Sequence, residues 1–320
     1  MKKLALVILI ITLLFVSCSD EFDGPVINFF SGKDRMSPRL ITIQTIDEST
    51  VVFTFDEFIF RPFITLEKEY KESTCYVDQE KLVVSLSHPL SVMRQTNIYF
   101  SVRDNRGNST TISAPVYGIN TKIPNLVINE FSTRGSTNHP DRVELKALTD
   151  GNLGGVTLYH GMFFNHTFSF SFPSVEVKRG DYIVVQFQQI PPQHSPLTYY
   201  GGSEGLGGNN GVISLYNSPY NEVKDVVLYS NRTSDSDEAY GGFGTKDVYE
   251  QVIELTSTDQ WVHNGVIRPE SAINSDSSTA TRSFNRKEEQ EDTNSASDWY
   301  VVITSGSTFG EKNTTTQYSP

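Results

Sequence analysis

Leu126-Val127-Ile128-Asn129-Glu130-Phe131 reads as an apolar strand that ends on Asn-Glu. After a polar loop comes Asp141-Arg142-Val143-Glu144-Leu145-Lys146, then Gly155-Val156-Thr157-Leu158-Tyr159 and Gly180-Asp181-Tyr182-Ile183-Val184-Val185. A glycine-rich turn at 207–211 opens Val212-Ile213-Ser214-Leu215-Tyr216, and Val223-Lys224-Asp225-Val226-Val227-Leu228-Tyr229 follows. Upstream, residues 40–43, 50–55, 81–86 and 97–102 are rich in β-branched and aromatic side chains. Val51, Phe53 and Phe55 alternate with Val52 and Thr54, and Ile98, Phe100 and Val102 with Tyr99 and Ser101. Period two marks a strand with one face in a core. Asp104-Asn105-Arg106-Gly107-Asn108 supplies turn chemistry, because Gly and Asn accept positive φ, and 109–116 is the return strand. Short strands at this spacing predict an all-β chain of β-sandwiches.

The order of the downstream motifs resembles the lamin-tail domain. That family's first strand reads Ile-Asn-Glu, as at Ile128-Asn129-Glu130, and its second carries an acidic residue before Leu, as at Glu144-Leu145. A Gly-rich turn precedes a strand ending Leu-Tyr, here Leu215-Tyr216, and an Asp, here Asp225, opens the next. The resemblance continues through Arg282-Ser283, Asp292-Thr293-Asn294 and Asp298-Trp299 to Thr308-Phe309-Gly310-Glu311-Lys312-Asn313, where Phe309 replaces the family's proline. Lys146-Ala147 and Gly154-Gly155-Val156 depart from the family's Tyr-Asn and Leu-Ser-Gly-Trp. The upstream hairpin resembles bacterial immunoglobulin-like domains. The resemblances imply two tandem immunoglobulin-like β-sandwiches: 25–120, a linker at 121–124, and a lamin-tail-like domain at 125–313 with long loops and a tail at 314–320. Residues 247–255 fit a short helix or a strand, and 274–297 is expected to be a mobile loop.

The N-terminus sets the expected compartment. Met1-Lys2-Lys3 is basic, and residues 4–16 form an apolar run of 13 interrupted only by Thr12. As a helix it spans ~20 Å, short of the ~30 Å hydrocarbon core, which fits a cleavable leader at 1–17. Phe15-Val16-Ser17-Cys18 resembles a bacterial lipobox, which implies cleavage before Cys18 and lipid on it. Acyl chains contribute ~0.8 kcal/mol per buried methylene, enough in combination to hold a protein on a membrane. Residues 18–24 then form a tether. Ser19, where an Asp would favour the inner membrane, points to the outer membrane or cell surface of a bacterial envelope. Cys75 reads as a small buried residue.

Composition excludes several classes. Lys plus Arg is 26 against 38 Asp plus Glu, a net charge of −12, and a surface of that sign disfavours nucleic acid. Two cysteines make neither a disulfide scaffold nor a Cys-rich zinc site. His88, His139, His160, His166, His194 and His263 show no ligand spacing, and no His-Glu-x-x-His or Gly-x-Ser-x-Gly occurs. Gly201–211 lacks a phosphate-loop pattern and reads as a flexible inter-strand loop, as does Gly241-Gly242-Phe243-Gly244. Thr233-Ser234-Asp235-Ser236-Asp237-Glu238 is an acidic stretch without the ordered calcium pattern. Asp292-Thr293-Asn294 with Asp298 reads as an Asx-type turn. Glu130 and Glu144 form a candidate carboxylate pair, for which the resemblance implies a structural role at strand ends.

No catalytic residue, metal or cofactor is expected. The leading expectation is a lipid-anchored, non-catalytic envelope protein that binds, adheres or scaffolds, with the membrane as a partner through Cys18 and a protein or glycan as the other. The alternatives are a secreted nuclease or phosphoesterase with an accessory domain, and a carbohydrate-binding lipoprotein using aromatics such as Tyr199-Tyr200 or Phe163-Phe164.

Overall fold

A computed structural model describes residues 36–188, 197–217, 223–231, 239–262 and 265–320. The leader, Cys18, the tether, the 233–238 stretch, His194 and His263 lie outside the described residues. The chain is all-β, in two β-sandwich units: one runs to Pro89 and includes Thr96–Val116, and the other holds Leu90–Gln95 and Tyr117–Pro320.

In the first unit β1 (Leu40–Thr45), β2 (Thr50–Phe55), β3 (Phe60–Thr65), β4 (Thr74–Asp78), β5 (Lys81–Ser85), β6 (Gln95–Arg103) and β7 (Ser109–Tyr117) form two sheets. Their orders are β1-β2-β5-β4 and β3-β6-β7. Alternation decides the core: Val51, Phe53, Phe55, Ile98, Phe100 and Val102 are all buried. Phe53 meets Phe100 across the sheets at 4.6 Å, and each buried ring contributes about 1.5–3 kcal/mol. The turn before β7 is held by Asp104, whose carboxylate accepts the Arg106 and Asn108 N–H groups at 2.8 Å, with Gly107 at φ 94°. Cys75 on β4 is half-buried rather than buried, because β4 is an edge strand that alternates between half-buried and exposed residues.

The second unit contains β8 (Leu126–Ser132), β9 (Arg142–Ala147), β10 (Gly151–Asn152), β11 (Thr157–Gly161), β12 (His166–Ser171), β13 (Glu176–Val177) and β14 (Tyr182–Phe187). It continues with β15 (Thr198–Gly202), β16 (Asn210–Tyr216), β17 (Val223–Ser230), β18 (Ile273–Asn274), β19 (Phe284–Arg286) and β20 (Trp299–Val301). Six strands run β15-β14-β9-β8-β19-β20, five run β12-β11-β16-β17-β18, and β10 pairs with β13. Phe131 of β8 meets Tyr229 of β17 at 5.6 Å, and Phe187 of β14 meets Phe168 of β12 at 4.9 Å, so one apolar core lies between the two large sheets. Segment 121–124 lies along this unit: the Lys122 carbonyl accepts the Asn152 N–H at 2.7 Å.

The ambiguous 247–255 stretch falls within a helix, α1 (Lys246–Leu255), capped by Thr245. Val248, Val252 and Leu255 fall at helical spacing and pack into the core. The expected mobile loop at 274–297 is corrected: β19 lies between β8 and β20, and Ser283, Phe284 and Asn285 are all fully buried. Its polar sequence hides this because the sheet face it serves is itself polar and covered.

Candidate functional site: a strap over buried carboxylates

Strand alternation sends Val143, Leu145, Phe131, Ile183, Val185 and Phe284 to the core and their neighbours to the opposite face of the six-stranded sheet. On that face Glu130 stands directly opposite Glu144, with Asn285 opposite Glu130, Gln186 opposite Arg142 and Tyr182 opposite Lys146. An outward sheet face usually meets water. Here the segment 305–313 crosses it as a strap, and Glu130 and Glu144 are each 0% exposed.

The strap, with Ser283 and Asn129 from the sheet side, supplies the donors that two buried carboxylates require. Glu130 accepts hydrogen bonds from the Ser283 hydroxyl at 2.5 Å, the Thr308 N–H at 3.0 Å and the Thr308 hydroxyl at 2.9 Å. Glu144 accepts from Asn129 Nδ2 at 2.9 Å and the Gly310 N–H at 2.5 Å. Asn313 closes the strap, donating from Nδ2 to the Arg286 carbonyl at 2.9 Å and from its N–H to Glu288 at 3.0 Å. Glu288 also pairs with Lys146. Burial pushes Glu130 up to about 7, opposed by its Ser283 and Thr308 bonds and by the Arg142 charge. Burial, then the neighbouring Glu130 charge, holds Glu144 well above the usual carboxylate range.

Behind the pair, the β8–β9 register shifts between Ile128 and Glu130. The shift frees the backbone of Ile128, and side chains take it up: Asp225 accepts its N–H at 2.6 Å and Arg286 Nε donates to its carbonyl at 2.7 Å. Arg286 pairs with Asp225 at 2.6 Å and with Asp292 at 2.6 Å. Asp225 belongs to the other sheet, so this buried pair ties the two layers together.

The glycine-rich turn is anchored rather than flexible. Asp141 accepts the Gly135 N–H at 2.6 Å and the Leu206 N–H at 2.8 Å. A Cβ on Gly205 would come within 2.3 Å of Asp141, and one on Gly211 within 2.4 Å of the Tyr229 hydroxyl. His160 accepts the Gly207 N–H on Nε2 at 3.3 Å, its Nδ1 lies 2.9 Å from the Thr167 hydroxyl, and Tyr229 donates to the Gly207 carbonyl at 2.7 Å. Burial lowers His160 to about 4, so the ring is neutral.

One flank of the strap borders an open cleft of about 360 Å³ lined by His139, Arg142, Thr281, Ser305, Ser307, Thr308, Phe309 and Glu311. Arg142 lies 5.2 Å over the Phe309 ring and donates from Nε to Gln186 at 3.2 Å.

The paired carboxylates read in the sequence are thus brought together, and they are sealed. The Asx-turn reading of 292–298 agrees with the geometry: the Asn294 N–H meets Asp292 at 3.0 Å, and Asp298 takes the Thr293 and Ser295 N–H groups, each at 3.0 Å. Among the described residues no cluster of three or more His, Cys, Asp or Glu side chains is placed to hold a metal ion. Tyr199 packs on Phe170 and Phe172, and Phe163 on Tyr159 and Tyr216. Phe164 and Tyr200 are exposed. Sequence reasoning missed Ser283 and Arg286 as partners of the acids, because their roles depend on contacts 153 and 61 residues away.

A family model described as "TP_1001_2nd: protein second domain" matches residues 124–196 and 200–301, more than half of the chain's 320 residues. The chain belongs to this family. The TP_1001_2nd match ends on the last residue of β20, so both large sheets fall within its span while the strap follows it. No match is found among curated proteins.

Proposed function

We propose that this chain is a non-catalytic binding protein of a bacterial cell envelope, anchored by lipid on Cys18, with a lamin-tail-type sandwich as its second module. The observation that carries the non-catalytic reading is the sealing of Glu130 and Glu144. An acid–base pair must touch a substrate, and these two carboxylates are fully buried with their oxygens given to Ser283, Thr308, Asn129 and Gly310. The lamin-tail reading is supported by Ile128-Asn129-Glu130 and by the strap Thr308–Asn313, whose residues meet as partners. The anchor rests on the lipobox-like sequence at 15–18.

Two measurements test this. Cys18→Ser is expected to move the protein from the membrane fraction to the soluble one. A variant that stays membrane-bound removes the anchor. The full chain, screened with divalent metals on DNA and phosphoesters, is expected to show no turnover above a heat-denatured control, and reproducible turnover would favour the hydrolase.

A further inference from the structure

We propose that the cleft beside the strap binds an acidic sugar, with Arg142, itself stacked on Phe309, taking the carboxylate and the lining hydroxyls taking the sugar hydroxyls. This deepens the binding reading above and rests on it. Arg142 is half-buried; it acts on the Glu130 charge across the sheet, and among the described residues no carboxylate stands in direct ion-pair contact with it. Among the described residues its guanidinium donates one hydrogen bond, from Nε to Gln186 at 3.2 Å, and it lies 5.2 Å over the Phe309 ring; together these orient its plane and leave the two Nη groups for a ligand. A planar fork of that kind matches a carboxylate through two parallel hydrogen bonds.

The rest of the lining suits a sugar better than a simple anion. Thr281, Ser305 and Ser307 set hydroxyls around the cleft, and Phe309 gives it an aromatic wall. Its volume, about 360 Å³, lies in the range of small-ligand sites. Glu311 stands on the lining and the chain carries a net charge of −12. One guanidinium against that background matches one negative charge and disfavours a dianionic phosphate. Glu311 instead accepts from sugar hydroxyls. Ser305 sits at φ 61°, a left-handed conformation that glycine adopts more readily. Serine at this position puts a hydroxyl at the cleft although the backbone alone would favour glycine.

The test is calorimetric titration of the purified full chain with D-glucuronic acid, with glucose, acetate and inorganic phosphate as comparison probes. Saturable binding of glucuronate is expected, at least tenfold tighter than each of the other three. Arg142→Gln is expected to abolish it. Because Arg142 also holds Gln186, Ser305→Gly is the second variant: it should leave the melting temperature unchanged or raised and weaken glucuronate several-fold. Absence of saturable glucuronate binding, equal binding of glucose, preference for phosphate, or wild-type affinity in Ser305→Gly would overturn the proposal. Membrane fractionation of Cys18→Ser does not depend on the cleft, so failure here and failure of the anchored-protein reading are read separately.

Discussion

Glu130 is the residue on which the second module turns. Three donors from Ser283 and Thr308 end on its carboxylate. Glu130→Ala takes the acceptor from the Thr308 N–H, at about 1–3 kcal/mol, and leaves the Ser283 and Thr308 hydroxyls only their longer contacts to Asn285 at 3.2 Å and Asn313 at 3.4 Å. A loss of about 1–3 kcal/mol is expected from urea denaturation, and Glu130→Gln, which keeps one acceptor oxygen, should lose less. The pH dependence has two opposed parts. Glu130 keeps its proton to about 7 in the fold, against 4.5 for a free carboxyl. Its contribution is therefore complete below about pH 4.5 and declines as pH rises through 7. Glu144 acts in the same direction. His160 titrates near 4 in the fold against 6.5 when free, so its contribution is complete above 6.5 and is lost as pH falls through 4. Between about 4.5 and 6.5 the slopes oppose. His160→Gln removes one of them, so its melting temperature should climb more steeply than wild type between pH 7 and pH 5. Parallel profiles in circular dichroism would contradict this assignment.

The decisive element is the strap at 305–313, which has no regular secondary structure beyond its turns. It converts a polar sheet face into an interior. Truncation before Ser305 should leave a second module without a cooperative thermal transition, with increased binding of a hydrophobic dye such as ANS. Much of the sheet was legible in the sequence. Thr50–Phe55 alternates as expected, and Ile128-Asn129-Glu130 announced both a strand and its acids. What was not legible is β19. Phe284-Asn285-Arg286 is short and polar, and hydropathy places such a segment in water. Its burial follows from Asp225, Asn313 and Thr308, whose side chains meet Arg286 and Asn285 only after the chain has closed. The carboxylate pair was legible as a pair. Its sealing was not, since the covering residues arrive from a remote loop. The open cleft beside it carried no sequence signal, because His139, Arg142, Thr281 and Ser305 are scattered and chemically ordinary.

At the scale of the whole molecule, stability rests on burial and on hydrogen-bonded polar layers. Cys75 is a free thiol on an edge strand, and burial pushes it above its ordinary range, which makes it a poor thiolate. Addition of dithiothreitol should therefore leave the melting profile unchanged, and a shift of several degrees would reveal a cross-link. The acidic balance of −12 is spread over two sandwiches, each with its own core. A balance of that sign specifies no partner.

The strap has a further consequence in the order of synthesis. Thr308 lies 178 residues downstream of the Glu130 it seals. A chain delivered N-terminus first presents β8 and β9 long before their covering segment emerges, and contacts of such separation form late. Until then the second module carries two carboxyl groups open to water and cannot complete its interior. A protein built this way reaches its tight state only after its C-terminal segment has been made.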